Sequence, residues 1–181
     1  MIELHTDNVP NAPAQPSPAE DVAFKARALA QAHPLTDVAF AYRADLVDRE
    51  RSEQPVSEVA DWAASAFLVG YCVRRVEETE SGRPTSGSQP STPIDRADVV
   101  AISQQLSDGQ ALGLLPDAVL VDVLDRVIAT EIDKRNEHVR EQLDAAQWKA
   151  FEDYVAWWVL HGWAARVVER PDVGEDFVCG S

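Results

Sequence analysis

Two pairs of oppositely charged residues are the first candidates for chemistry in this 181-residue chain. Arg74 precedes Glu77 by three residues, and Arg166 precedes Glu169 by the same spacing. Residues three apart share a helix face, and a cation near a helix end is also favoured by the helix dipole. An exposed or bridging ion pair is the simpler interpretation of each pair. The alternative is that the two arginines converge on an anionic ligand.

Both pairs belong to a longer pattern that occurs twice. The signature D-x-x-A-x-x-x-L-x-G-x-x-x-R-x-V-E occupies residues 61–77 and again residues 153–169, at an offset of 92 residues. Each copy contains a glycine, Gly70 or Gly162, which costs about 0.5–1 kcal/mol relative to alanine inside a helix. A close backbone crossing is the usual compensation. We therefore predict an internal duplication whose two copies cross at these glycines around a pseudo-twofold axis.

Aromatic residues and one histidine concentrate in the second copy. Four of the five tryptophans lie between positions 148 and 163, and His161 lies in the same stretch. At helical spacing such residues are typical of a core, and a lone histidine there is typically a hydrogen-bonded core residue. They could instead line a pocket for an apolar or aromatic ligand. The candidate pocket or interface residues are Tyr71, Arg74, Trp157, Trp158, His161 and Arg166.

Recognisable catalytic and metal-binding motifs are missing from the sequence. There is no Glu-x-x-His of the di-metal bundles, no Gly-rich phosphate loop, no G-x-S-x-G elbow and no H-E-x-x-H. His138 and Glu141 form an H-x-x-E, but their charged neighbours are typical of a solvated helix face. We therefore predict no catalytic residue, no metal ligand and no cofactor. Whether the chain is an enzyme stays open, with the balance against it.

Helical periodicity predicts an all-α bundle of about six helices, built from two related three-helix units. The predicted helices begin near Pro18, at Thr36 or Asp37, at Pro55, at Asp95 or Asp98, at Pro116 and after Asp144. The predicted organisation is a disordered tail (1–18), a first helical unit (19–80), a flexible Pro/Ser/Gly-rich linker (81–95), a second helical unit packed on the first as one domain (96–170) and a C-terminal tail (171–181).

Composition restricts the partners and the location. The net charge is −15, with 14 acids against 8 bases in residues 1–90 and 17 against 8 in residues 91–181. Such a surface disfavours direct binding to nucleic acid or anionic membranes and favours basic partners. The longest nearly unbroken apolar stretch, Trp62 to Val73, has 12 residues, whereas a bilayer span needs about 20. Two cysteines without a disulfide framework favour a reducing, cytoplasmic location, and thirteen Arg against three Lys favour a GC-rich, bacterial genome.

Two functional interpretations follow from these features. The leading one is a small, acidic, all-helical interaction or regulatory module without enzymatic activity, with a protein partner or as a homodimer. The alternative is a ligand-binding or enzymatic helical bundle, whose Trp-lined pocket between the repeats takes a small molecule. A mimic of nucleic acid is less favoured, because acids alternate with arginines, as in Arg49, Glu50 and Arg51.

Overall fold

The computed structural model describes residues 15–53, 57–82, 92–110 and 112–169, which form six α-helices and no β-strand. The helices are α1 (Pro18–Gln31), α2 (Asp37–Glu53), α3 (Ser57–Glu80), α4 (Arg96–Ser107), α5 (Asp117–Val139) and α6 (Ala145–Glu169), with a short 3-10 helix at Arg140–Gln142. The predicted all-α class with six helices is confirmed. None of these helices combines the length and the apolar character needed to cross a membrane.

Local capping fixes the starts of several helices. The Ser17 hydroxyl accepts a hydrogen bond from the Glu20 N–H at 3.2 Å, and the Glu20 carboxylate accepts one from the Ser17 N–H at 2.8 Å. This capping box starts α1 at Pro18, inside the range predicted as a tail. Asp95 caps α4 and Asp144 caps α6 by accepting hydrogen bonds from first-turn N–H groups.

The predicted terminal tails and central linker fall mostly outside the described residues. Residues 1–14, 83–91 and 170–181 are not described. The ends of the linker are described: Gly82 lies in a turn with a φ of +71°, and Thr92 donates a backbone hydrogen bond of 3.1 Å to the Glu169 carbonyl.

Helices α3 and α6 form the centre of the bundle and pack against each other over the largest contact in the fold. Around them, α1 packs on α3 and α4 packs on α6, whereas α2 and α5 each contact both central helices. Phe67, Val73, Val159 and Trp163 are fully buried between these layers. Neighbouring helices cover α3 and α6 on several sides. For this reason the two central helices can be apolar around most of their circumference.

Candidate functional site

The two central helices touch at Gly70 and Gly162. A Cβ atom built on Gly70 would lie 1.9 Å from the carbonyl oxygen of Val159, and one built on Gly162 would lie 1.9 Å from that of Phe67. Only a residue without a Cβ fits at such distances, so the backbones of α3 and α6 are in direct contact. Val159 and Phe67 are separated by the same 92 residues as the two glycines, so the contact is reciprocal.

Beyond the crossing, each central helix hydrogen-bonds the glutamate that ends the repeated signature on the other. Trp163 Nε1 on α6 donates to Glu77 Oε2 on α3 at 2.5 Å. Tyr71 Oη on α3 donates to Glu169 Oε2 on α6 at 2.6 Å. Tyr71 and Trp163 occupy matching positions of the repeated pattern, as do the two glutamates. The exchange of hydrogen bonds therefore follows the same 92-residue offset as the glycine contact.

The second oxygen of each glutamate binds the segment that precedes another helix. Glu77 Oε1 accepts hydrogen bonds from the Leu114 N–H at 3.1 Å and the Leu115 N–H at 3.4 Å, just before α5. Glu169 Oε1 accepts a hydrogen bond from the Thr36 hydroxyl, and the same hydroxyl caps the start of α2. The two carboxylates thus connect the central helices to the starts of α2 and α5.

Arg74 and Arg166 lie inside the bundle, so of the expected exposed or bridging ion pairs only the exposed form is wrong. Each arginine is 2% exposed, and Glu77 and Glu169 are fully buried. Arg74 Nη1 lies 3.9 Å from Glu77 Oε2, and Arg166 Nη1 lies 3.2 Å from Glu169 Oε2. The helix ends are covered because the segments leading into α2 and α5 fold over them.

A third buried carboxylate and two aromatic rings complete the group. Glu78 accepts a bidentate interaction from Arg166, with Nε to Oε1 at 3.1 Å and Nη2 to Oε2 at 2.7 Å. The Arg166 guanidinium also lies over the ring of Tyr71, and the Arg74 guanidinium lies 5.1 Å from the centre of the Trp163 ring. We call this group the ionic cluster; its members are Tyr71, Arg74, Glu77, Glu78, Trp163, Arg166 and Glu169.

Burial dominates the electrostatics of the ionic cluster. It raises the pKa of Glu77, against the opposing effects of Arg74 and of the hydrogen bonds from Trp163 and the backbone. It also raises the pKa of Tyr71 to about 12, together with the hydrogen bond to Glu169, so the phenol stays a donor. Burial alone would lower the pKa of Arg166, but its carboxylate partners raise it overall. The side chains of the ionic cluster thus bind one another, and these bonds hold α3 and α6 in one arrangement.

His161 belongs to a separate buried group on α6. Its Nε2 lies 3.1 Å from Tyr42 Oη, and its Nδ1 lies 3.5 Å from Ser103 Oγ. Because the Ser103 hydroxyl donates to the Val99 carbonyl, Nδ1 carries the proton of the neutral ring and Nε2 accepts from Tyr42. The Trp157 ring stacks on the imidazole, with ring centres 4.2 Å apart. His161 is therefore a hydrogen-bonded core residue.

We expect His161 to make stability depend on pH. Burial, followed by the charge of Arg96, lowers its pKa from 6.5 to about 4. Below pH 6.5 the unfolded chain therefore binds a proton that the folded chain does not, so stability falls as pH falls. Between about pH 7.5 and about pH 5 this residue should remove about 2 kcal/mol from the free energy of unfolding.

His161→Phe is the matched variant, because it keeps a ring beside Trp157 but does not titrate. Urea unfolding of both proteins at the two pH values measures the effect as the difference between their losses. Equal losses in the two proteins would show that His161 does not carry this pH dependence.

The six candidate residues therefore fall into two groups. Tyr71, Arg74 and Arg166 belong to the ionic cluster, whereas Trp157, Trp158 and His161 pack together on the earlier part of α6. Trp157 remains 40% exposed and Trp158 is buried.

An open groove lies elsewhere, above α3, and none of the six candidates lines it. Its volume is about 720 Å³, which lies within the range of small-molecule sites. Its floor is formed by Leu68 and Val69, which are buried, and by smaller side chains of α3. We call it the α1–α2 groove; its lining residues are Phe24, Arg27, Ala28, Ala30, Gln31, His33, Arg43, Asp61, Ala64, Ser65, Leu68, Val69, Thr130 and Lys134.

Positive charge concentrates in this groove although the chain is strongly acidic. Arg27, Arg43 and Lys134 line it, together with a single carboxylate, Asp61. Asp61 is itself bridged to Arg51 at 3.4 Å, and Lys134 pairs with a buried glutamate of α5. The groove therefore carries a local positive charge on a protein whose net charge is −15.

The two arginines of the groove have neutral partners. Arg27 Nη1 donates to the Thr130 hydroxyl at 2.7 Å, and the Arg43 guanidinium lies 5.5 Å from the centre of the Phe40 ring. Within the described parts of the chain, neither arginine forms an ion pair with a carboxylate. Partial burial lowers the pKa of Arg43, which indicates that its charge is incompletely solvated. An incoming anion would supply both with a charged partner.

Comparison with protein-family models, curated proteins and solved structures gives no match to this chain. Its possible functions are therefore inferred from its own residues. Among the described residues, no three His, Cys, Asp or Glu side chains are grouped as a metal ion would require.

The groove was not predicted from the sequence, because its lining residues lie on four helices, and its two arginines, Arg27 and Arg43, lie outside the repeated pattern. One local signal was present: Phe24 precedes Arg27 by three residues, and Phe40 precedes Arg43 by the same spacing. Both phenylalanines are more than half exposed. An exposed aromatic ring three residues before an arginine, repeated on two neighbouring helices, could have indicated a binding surface.

Proposed function

We propose that this chain is a non-enzymatic interaction module, whose α1–α2 groove binds a partner-protein segment that combines carboxylates with an apolar side chain. The observation that carries this proposal is the pair of arginines, Arg27 and Arg43, that line a largely apolar groove with neutral partners only. Arginine binds carboxylates through strong charge-assisted hydrogen bonds. The apolar floor adds a gain from burial of about 25 cal/mol per Å².

The charge of the remaining surface supports one binding position. An acidic segment is repelled by most of a chain with a net charge of −15, so the groove is the favourable place for it to bind. Complementary charge of this kind contributes to specificity and to the rate of association. A cytoplasmic location is part of the proposal and agrees with the free, buried thiol of Cys72.

Photocrosslinking tests the proposed partner site. p-Benzoylphenylalanine in place of Phe24, which is 66% exposed in the groove, should capture a partner in the native host. The double variant Arg27→Ala/Arg43→Ala should weaken capture about tenfold or more, because each charge-assisted hydrogen bond contributes about 1.5–3 kcal/mol. The readout is the yield of the crosslinked species, identified by mass spectrometry.

The matched control places the photoreactive residue at Val121, which is exposed on α5 and does not line the groove. Capture of the same protein by the photoreactive residue at position 121 would contradict binding in the groove. Capture from position 24 that persists in Arg27→Ala/Arg43→Ala would also contradict it.

We also infer that the two three-helix units derive from a duplication. The 92-residue offset relates the reciprocal glycine contacts and the reciprocal hydrogen bonds to Glu77 and Glu169. The packing of α1 on α3 also has a counterpart in the packing of α4 on α6. A crystal structure in which the helices of the first unit do not superimpose on those of the second would contradict this inference.

The alternative of a Trp-lined pocket between the repeats has less support. Trp158 and His161 are buried against each other and against Trp157, so these side chains fill the space that a ligand would need.

A further inference from the structure

The C-terminal segment of the chain begins close to the α1–α2 groove. Helix α6 ends at Glu169, whose carboxylate accepts a hydrogen bond from Thr36. Thr36 lies three residues after His33, which lines the groove. Twelve residues, 170–181, follow α6 and lie outside the described residues.

The sequence of this segment is complementary to the groove. It reads R-P-D-V-G-E-D-F-V-C-G-S, so Glu175 and Asp176 directly precede Phe177. Two adjacent carboxylates match the two arginines of the groove, and a phenylalanine ring matches its apolar floor. The segment thus has the composition that the proposed partner requires.

We propose that residues 170–181 are an intramolecular occupant of the α1–α2 groove, and this inference rests on the function proposed above. Phe177 packs on the floor near Leu68, while Glu175 and Asp176 pair with Arg27 and Arg43. A partner segment must then displace the chain's own C-terminus, so the tail sets the apparent affinity of the site.

The tail is long enough for this contact. The eight residues from Glu169 to Phe177 span up to about 26–29 Å when extended. Along α1, the distance from Gln31 back to Phe24 is only about 10 Å. Phe177 can therefore reach the groove without unfolding the last turn of α6.

The second unit shows how the equivalent place is filled. Positions Ser65 and Val69 on the groove floor correspond, at the 92-residue offset, to Trp157 and His161. Those two rings stack on each other in the second unit, whereas the smaller Ser65 and Val69 leave the groove open in the first. In the second unit, the Trp157 ring therefore occupies the place that Ser65 leaves open in the first. Phe177 would fill this open place in the first unit.

Disulfide trapping in the full-length chain tests the proposal. The variant Ala28→Cys places a thiol on an exposed position of the groove, and Cys179 lies two residues after Phe177. Cys72 does not compete, because burial raises its pKa to about 12 and keeps the thiol protonated. Copper–phenanthroline oxidises the two thiols to a disulfide, and mass spectrometry of the non-reduced peptides measures the intramolecular product.

We expect the disulfide to form about tenfold faster in Ala28→Cys than in chains that carry Phe177→Ser or Arg43→Ala in addition. The reason is that docking of the tail raises the effective concentration of Cys179 at the groove. Val121→Cys, away from the groove, should give the slow rate with or without Phe177. Equal rates in Ala28→Cys with and without Phe177 would overturn the proposal, as would a product that joins two molecules instead of one.

The photocrosslinking experiment separates this inference from the proposed function. Disulfide formation that does not depend on Phe177 would show that the tail is not the occupant. If p-benzoylphenylalanine at position 24 still captures a partner, and this capture requires Arg27 and Arg43, the proposed function stands. If Phe177→Ser increases the capture of the partner, competition by the tail is supported.

Discussion

Gly70→Ala and Gly162→Ala should each lower the free energy of unfolding by about 3 kcal/mol. The added Cβ atom would lie 1.9 Å from a carbonyl oxygen of the opposite central helix in both cases. The contact is made with backbone, which cannot rotate away as a flexible side chain could. The helices must therefore separate, and the buried layers on either side lose contact. Urea unfolding followed by circular dichroism measures the loss.

The sign of this effect distinguishes packing from helix propensity. Glycine inside a helix is less favourable than alanine by about 1 kcal/mol, so alanine would be stabilising if the helices did not touch. Ala150→Gly on the exposed face of α6 is the reverse control and should cost about 1 kcal/mol. A neutral or stabilising Gly70→Ala would contradict the direct contact between backbones, and Gly70→Leu should be worse than alanine.

Helix positions could be predicted from the sequence because their signals are local. The expected starts near Pro18, at Thr36 or Asp37, at Asp95 or Asp98 and after Asp144 agree with the observed helices to within two residues. In each case a proline, or a side chain that can cap the first turn, lies within a residue of the boundary, so no information about the rest of the fold is needed.

Burial of the charged pairs could not be predicted in the same way. Nothing within residues 74–77 indicates that the segment before α5 covers Glu77, or that Thr36 reaches Glu169 from another part of the chain. The same limit applies to the groove, where Arg27 and Arg43 lie on different helices and approach one site only through the packing of α3 beneath them. Patterns within one helix predict its own faces, whereas cover by other segments depends on the tertiary fold.

Arg166→Met should lower the free energy of unfolding by about 3–5 kcal/mol, the usual cost of removing one partner from a buried ion pair. Arg166 is 2% exposed and supplies Glu78 with a bidentate partner, and it also donates to Glu169 and Tyr71 at 3.2 Å. Methionine keeps an apolar stem of similar length, so loss of charge and hydrogen bonds dominates the change. Urea unfolding at neutral pH measures the effect.

Two controls assign the loss to uncompensated buried charge. Arg49→Met removes an arginine that pairs with Asp45 at the surface, where both side chains are more than half exposed, and it should cost less than about 1 kcal/mol. The double variant Arg166→Met/Glu78→Met removes the carboxylate as well and should recover at least half of the loss, because apolar replacement of a complete buried pair is often neutral. If Arg166→Met costs no more than Arg49→Met, the ionic cluster does not hold the central helices in register. If the double variant is as unstable as the single one, the guanidinium acts through its packing on Tyr71 instead of through its charge.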